Sequence, residues 1–95
     1  MMNEFAIGGV AVSTAGHDTG KCYVIFQIDS EYVYLVDGRI RTIDRPKKKK
    51  MIHIRMLSEI DQNLADKINS NTAKNEEIKR AIKLMLYGYS SKEVE

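Results

Sequence analysis

The sequence predicts a mainly β domain with a C-terminal α-helical part: a small, strongly bent antiparallel barrel of about five strands over residues 1–57, then two short helices within residues 58–95. Three observations predict it. Apolar and polar residues alternate through the first half, in short runs punctuated by glycine and aspartate. After Ser58 the apolar spacing changes to a helical repeat. At 95 residues the chain has room for one domain, and so small a β core needs cover from the rest of it.

Residues 1–6 read as a loose lead-in ending at Gly8-Gly9. A first strand near 9–14 puts Val10 and Val12 on one face, Ala11 and Ser13 on the other. Gly16 and Gly20 mark a loop, glycine being the residue that reaches positive φ without steric cost. Beyond it, near 22–28, Cys22, Val24, Phe26 and Ile28 share a face against Tyr23, Ile25 and Gln27, so the pair reads as a hairpin with one buried face. Asp29-Ser30 turns the chain into a third strand near 31–36. Asp37-Gly38 is the strongest short hairpin signal, because a type I′ turn wants φ > 0 at both central positions. It predicts a fourth strand over 39–43, with Ile40 inward and Arg39 and Arg41 outward, ended by Pro46. A fifth strand over 51–56 turns Ile52 and Ile54 inward and leaves His53 and Arg55 outside.

Ser58 with Asp61 reads as a capping box opening the first helix, along which Ile60, Leu64 and Ile68 recur. Asn69-Ser-Asn-Thr72 is turn chemistry and predicts a break. A second helix then runs from Thr72 to about Tyr87, with Ile78, Ala81, Ile82 and Met85 as its apolar stripe, a Glu76–Arg80 ion pair and Gly88 as its C-cap. The helices either pack on the barrel or project as a partner-binding arm.

Net charge is only +2, but it is unevenly placed. Residues 39–55 hold Arg39, Arg41, Arg45, Lys47, Lys48, Lys49, Lys50 and Arg55 against Asp44 alone. Residues 1–38 hold Lys21 against Glu4, Asp18, Asp29, Glu31 and Asp37. Such a concentration of cations is the electrostatic footprint of a polyanion partner. Its bland counterpart is an edge strand that lysine guards against aggregation.

Val10-Ala-Val-Ser13, then Gly16-x-Asp18-x-Gly20-Lys21, then Val24-Ile-Phe26 resemble the KOW motif of ribosomal proteins and transcription elongation factors. Tyr32-Val-Tyr-Leu-Val-Asp-Gly-Arg39, Pro46-Lys-Lys-Lys-Lys50 and Glu76-Glu-Ile-Lys-Arg-Ala-Ile-Lys83 extend the likeness over most of residues 7–86. Together they look like a bacterial KOW-domain RNA-binding protein, a relative of the KOW-containing large-subunit ribosomal proteins of archaea and eukaryotes. The resemblance implies an SH3-like barrel, with KOW-type residues 1–57 and a helical extension over 58–95. It also implies RNA as partner, ribosomal RNA above all, with ribosomal proteins nearby. The family commonly carries basic residues in its loop, where this chain has His17 and Thr19.

The candidate RNA contacts fall in two groups. Arg39, Arg41, Arg45, Lys47, Lys48, Lys49, Lys50, His53 and Arg55 line the basic stretch: lysine meets phosphate as a point charge, and arginine forks onto phosphate or stacks on a base. About six such contacts would give a log–log salt slope of roughly −4 to −5, by the single-strand coefficient. Gly16, His17, Gly20 and Lys21 form the second group, in which the loop backbone either approaches ribose-phosphate or merely turns the chain. Tyr23, Tyr32 and Tyr34 either stack on unpaired bases or cover the barrel beneath the helices.

Catalysis finds no constellation. His17, His53 and Cys22 lack CxxC or HxxxH spacing, so no metal or other cofactor is expected. Asp18, Asp29, Asp37 and Asp44 fall at turns, where aspartate serves the backbone. Neither an enzyme nor a small-molecule substrate is expected. A single cysteine permits no internal disulfide, and no apolar run suits a membrane or a signal sequence, which makes the cytoplasm the expected location. The alternative to RNA binding is a protein–protein adaptor in a ribosome- or transcription-associated complex. Nuclease treatment separates the two, abolishing ribosome co-sedimentation under the first reading and sparing it under the second.

Overall fold

The computed structural model describes residues 5–58 and 61–87. Five strands, β1 (Val10–Ser13), β2 (Cys22–Asp29), β3 (Tyr32–Val36), β4 (Lys47–Lys50) and β5 (Ile54–Met56), form one antiparallel sheet in the order β4-β3-β2-β1-β5. A one-turn 3₁₀ helix over Met51–His53 joins the two edges, and α1 (Gln62–Asn69) and α2 (Asn75–Tyr87) follow. The predicted class, strands then two helices, is therefore present.

The short link between the edges forces the sheet to curl. Lys50 and Ile54 are four steps apart, a reach of at most about 14 Å. Five flat strands would hold their edges about 19 Å apart. Yet the barrel does not close, which corrects that expectation: β4 and β5 form no ladder with each other. Alternating antiparallel pairings make these two edges run the same way. Side by side they would be a parallel pair, which needs a crossover of about a dozen residues or more. The three residues of the 3₁₀ turn are too few.

Both faces of the hairpin are buried, not one. Inside the curl lie Ala11, Tyr23, Ile25, Val33, Leu35 and Ile54, with Phe5, Ile28, Met51 and Met56 around them. The outer face carries Val10, Val24 and Val36, covered by Leu64, Ile68 and Ile78 of the helices and flanked by Cys22, Phe26, Ala81, Ile82 and Met85. The helices thus pack on the sheet. Ile28 does not share a face with Val24, because the register of β2 against β3 shifts between Ile25 and Gln27. That bulge adds one residue and returns Ile28 to the inner face beside Ile25.

The sequence expectation fails most between 37 and 53. Residues 39–43 form no strand, and the fourth strand is the lysine run itself, which Pro46 precedes instead of ending a strand. Asp37 overrides the hairpin signal: its Oδ1 accepts from the amides of Arg39 at 2.8 Å and Arg41 at 2.9 Å, closing a tight loop. Gly38 sits at φ +80° against α2, where a Cβ would lie 2.5 Å from the Asn75 carbonyl oxygen. Ile40 and Ile52, expected inward, are 76% and 79% exposed, Ile40 on that loop and Ile52 on the 3₁₀ turn.

The helix boundaries shift as well. Asp61, not Ser58, caps α1, its Oδ1 accepting from the Leu64 amide at 3.2 Å, while Ser58 Oγ accepts from the Val10 amide at 3.2 Å. Ile60, Gly88 and residues 1–4 of the lead-in lie outside the described residues. The break at Asn69–Thr72 is present, with Asn71 at φ +63°, and α2 begins at Asn75 instead of Thr72. Glu76 pairs with Lys79 at 3.1 Å instead of Arg80. Glu77 pairs with Lys67, tying α2 to α1, and this ion pair lowers its carboxyl pKa.

Candidate nucleic-acid interface

The lysine run divides by strand periodicity. In β4, Lys47 and Lys49 stand opposite Leu35 and Val33, whose side chains fill the inside of the curl. Lys48 and Lys50 stand opposite Tyr34 and Tyr32 on the outside. Identical residues therefore meet two environments.

Inside, both lysines converge on Asp18 from the β1–β2 loop. Lys49 Nζ donates to Asp18 Oδ1 at 2.8 Å and to the Ala15 carbonyl at 2.8 Å. Lys47 Nζ lies 3.1 Å from Oδ2. Ser13 Oγ donates to Oδ1 at 2.8 Å and the Tyr23 hydroxyl to Oδ2 at 3.0 Å. With its side chain only 7% exposed, Asp18 spends both oxygens on these four donors. Burial alone would raise its pKa, but the bonds from Lys49, Ser13, Lys47 and Tyr23 outweigh it and hold the carboxyl well below the usual range. Burial, then the bond to Asp18, pushes the Tyr23 hydroxyl up to about 12. Chemically this is a clamp: it fastens the loop across the curl to β4, two strands beyond β2.

The loop backbone is similarly committed. The amides of Thr19, Gly20 and Lys21 donate to the carbonyls of Gly16, Ser13 and Asp18 at 3.2, 2.8 and 2.9 Å. Gly20 has φ +90° and nothing within 4 Å of where a Cβ would sit, so backbone conformation and not space selects it. Gly16, His17 and Lys21 are exposed at the loop surface.

Outside, Lys48 Nζ stands 4.4 Å from the centre of the Tyr32 ring, a cation–π contact. Lys50, Arg45 and Arg55 are exposed, and His53 is half-buried at the 3₁₀ turn. Tyr32 and Tyr34 are half-buried on this outer side, whereas Tyr23 belongs to the interior. Arg39 is exposed and Arg41 half-buried on the 37–41 loop, apart from β4 in sequence and in element. Arg39, Gly20 and Lys21 instead border a concavity formed with Arg80 and Lys83 of α2. Sequence reasoning did not join these segments. Nor did it find the role of Asp18, whose partners Lys47 and Lys49 lie about thirty residues away, although serine and tyrosine alternating onto its side of the sheet were a visible hint.

Cys22 is half-buried and free, and burial raises its thiol pKa. Among the described residues no three His, Cys, Asp or Glu side chains gather as a metal site would require, and no helix is long and apolar enough to cross a membrane. No protein-family model matches the chain, and no curated protein matches it either.

Proposed function

We propose that this protein is a non-catalytic RNA-binding module of KOW type, its curled sheet an SH3-like barrel left open at one seam, docking in the cytoplasm on structured RNA of the ribosomal kind. One observation carries the reading: the outer side of β3–β4 presents Lys48 and Lys50 beside Tyr32 and Tyr34, with Lys48 already over a tyrosine ring. Cations interleaved with aromatic rings suit phosphates and unpaired bases together. Arg45, just before β4, and Arg55, on β5, are exposed as well, and among the described residues β4 is an edge strand. The inner lysines act at one remove, since their charge is met by Asp18.

A Lys48→Ser/Lys50→Ser variant tests this, with binding of an RNA hairpin bearing a single-stranded flank followed by fluorescence anisotropy through a salt titration. Two lost phosphate contacts should weaken binding and flatten the log–log slope by about 1.4. Unchanged affinity and slope would sink the proposal.

A further inference from the structure

Beside α2 the molecule carries a groove of about 860 Å³, walled by that helix, the start of β2 and the 37–41 loop. Its lining combines an apolar part with a charged one. Cys22 and Ile82 lie half-buried in it, Ile40 and Leu86 are 76% and 53% exposed, and Tyr87 stands at the helix end. Its rim is cationic, with Lys21, Arg39, Arg80 and Lys83. The lining also holds Asp37, whose Oδ1 accepts from the amides of Arg39 and Arg41, and Glu76, paired with Lys79 at 3.1 Å, so cations outnumber carboxylates in it.

Ile40 is held in water by a built loop. The Asp37 amide donates to the Arg41 carbonyl at 2.8 Å, the Gly38 amide to the same oxygen at 3.2 Å, and Ile43 N donates to Asn75 Oδ1 at 2.9 Å. Gly38, pressed on α2, anchors the other side. A hydrogen-bonded loop that keeps a large aliphatic side chain exposed, in a groove with a second one on a helix, is a mark of an interaction surface.

We propose that this groove docks an acidic amphipathic helix of a protein partner, its apolar stripe on Ile40, Ile82 and Leu86 and its carboxylates toward Lys21, Arg39, Arg80 and Lys83. Charge complementarity decides the occupant. A wholly apolar helix would bring low-dielectric surface against a lining in which cations outnumber carboxylates, and would add no counter-charge. An RNA strand would satisfy the cations but find Ile40, Ile82 and Leu86, with Tyr87 the single aromatic ring of the lining, where bases need aromatic platforms. An acidic amphipathic helix satisfies both parts, in the manner of helix-in-groove recognition. The site is separate from the outer side of β4 and independent of the RNA reading.

The test uses the full chain and a fluorescein-labelled peptide of about five helical turns, with leucines at i, i+4 spacing and glutamates between them. Saturable binding is expected, weakened about tenfold or more by Arg80→Glu/Lys83→Glu, by Ile40→Ser and by a glutamine-for-glutamate peptide. Saturating peptide should also slow alkylation of Cys22. Lys48→Ser/Lys50→Ser should leave the Cys22 protection by saturating peptide in place, and Ile40→Ser, which alters no charge, should leave binding of the RNA hairpin unchanged, so either proposal can fail alone. Equal binding of the glutamine peptide, or an unchanged alkylation rate at saturation, overturns the assignment. So does protection of Cys22 by the RNA hairpin in place of the peptide, which would make the groove a nucleic-acid site.

Discussion

Lys48 and Lys49 are neighbours in a run of four identical residues, yet one stands over an outward tyrosine ring and the other grips a buried carboxylate. The Lys49 side chain is 11% exposed, and its ammonium is shared between Asp18 and the Ala15 carbonyl. What the contrast teaches is that a charge run is not one feature once it enters a strand. Period 2 hands alternate members to structure and to surface, and a count of cations over-states the charge offered to a partner.

Four substitutions would break or sharpen this contrast. Asp18→Asn has the largest expected effect, because it leaves Lys47 and Lys49 facing each other without their counter-charge; urea denaturation should show a loss of about 3–5 kcal/mol. The same variant sets the acid limb of stability. The folded pKa of Asp18 lies below its unfolded value of about 3.9, so the clamp contributes fully above that pH and is lost as pH falls toward the folded pKa. Asp18→Asn should lack that limb, and an acid titration identical to that of the native chain would refute the clamp.

Lys49→Ser should cost about 2 kcal/mol, as a charge-assisted bond lost from a buried acceptor. Tyr23→Phe should cost about 1 kcal/mol near neutrality and alter the alkaline limb. Tyr23 titrates at about 12 when folded against about 10 when unfolded. Its contribution is therefore complete below about pH 10 and lost as pH rises toward 12, a decline the phenylalanine variant should not share. Lys48→Ser should cost least, about 0.5–1 kcal/mol for the exposed cation–π contact, measured in the same urea series. A Lys48→Ser loss equal to that of Lys49→Ser would erase the contrast.

Much of the fold was legible because it rests on local periodicity. Val10, Val24 and the Ile78, Ala81, Ile82 and Met85 stripe were placed correctly, and together with Leu64 and Ile68 they make the outer core. The misplaced part has particular causes. Four lysines carry little strand propensity of their own and become β4 only because Tyr32–Leu35 present a complementary edge. Asp37-Gly38 reads as a hairpin until the Asp37 carboxylate captures two amides and α2 occupies the space around Gly38. The bulge at Phe26 has no signature in residue type. For the candidate site, the outward tyrosines were legible from alternation and the lysines only as an undivided basic run, since the run was not expected to be a strand. The clamp and the groove were not, since each gathers residues from distant stretches of chain.

The pairing of β1 with β5, Ala11 opposite Met56, also sets a timetable for the chain as it is synthesised. The first hairpin can form early, but the curl gains its last strand only when residues 54–56 leave the exit tunnel, and the outer valines wait longer for Ile78. During that interval a nascent chain carries an uncovered apolar face already attached to its run of lysines. α2 therefore completes the outer core last, and a ribosome stalled before it emerges should hold a chaperone-accessible intermediate.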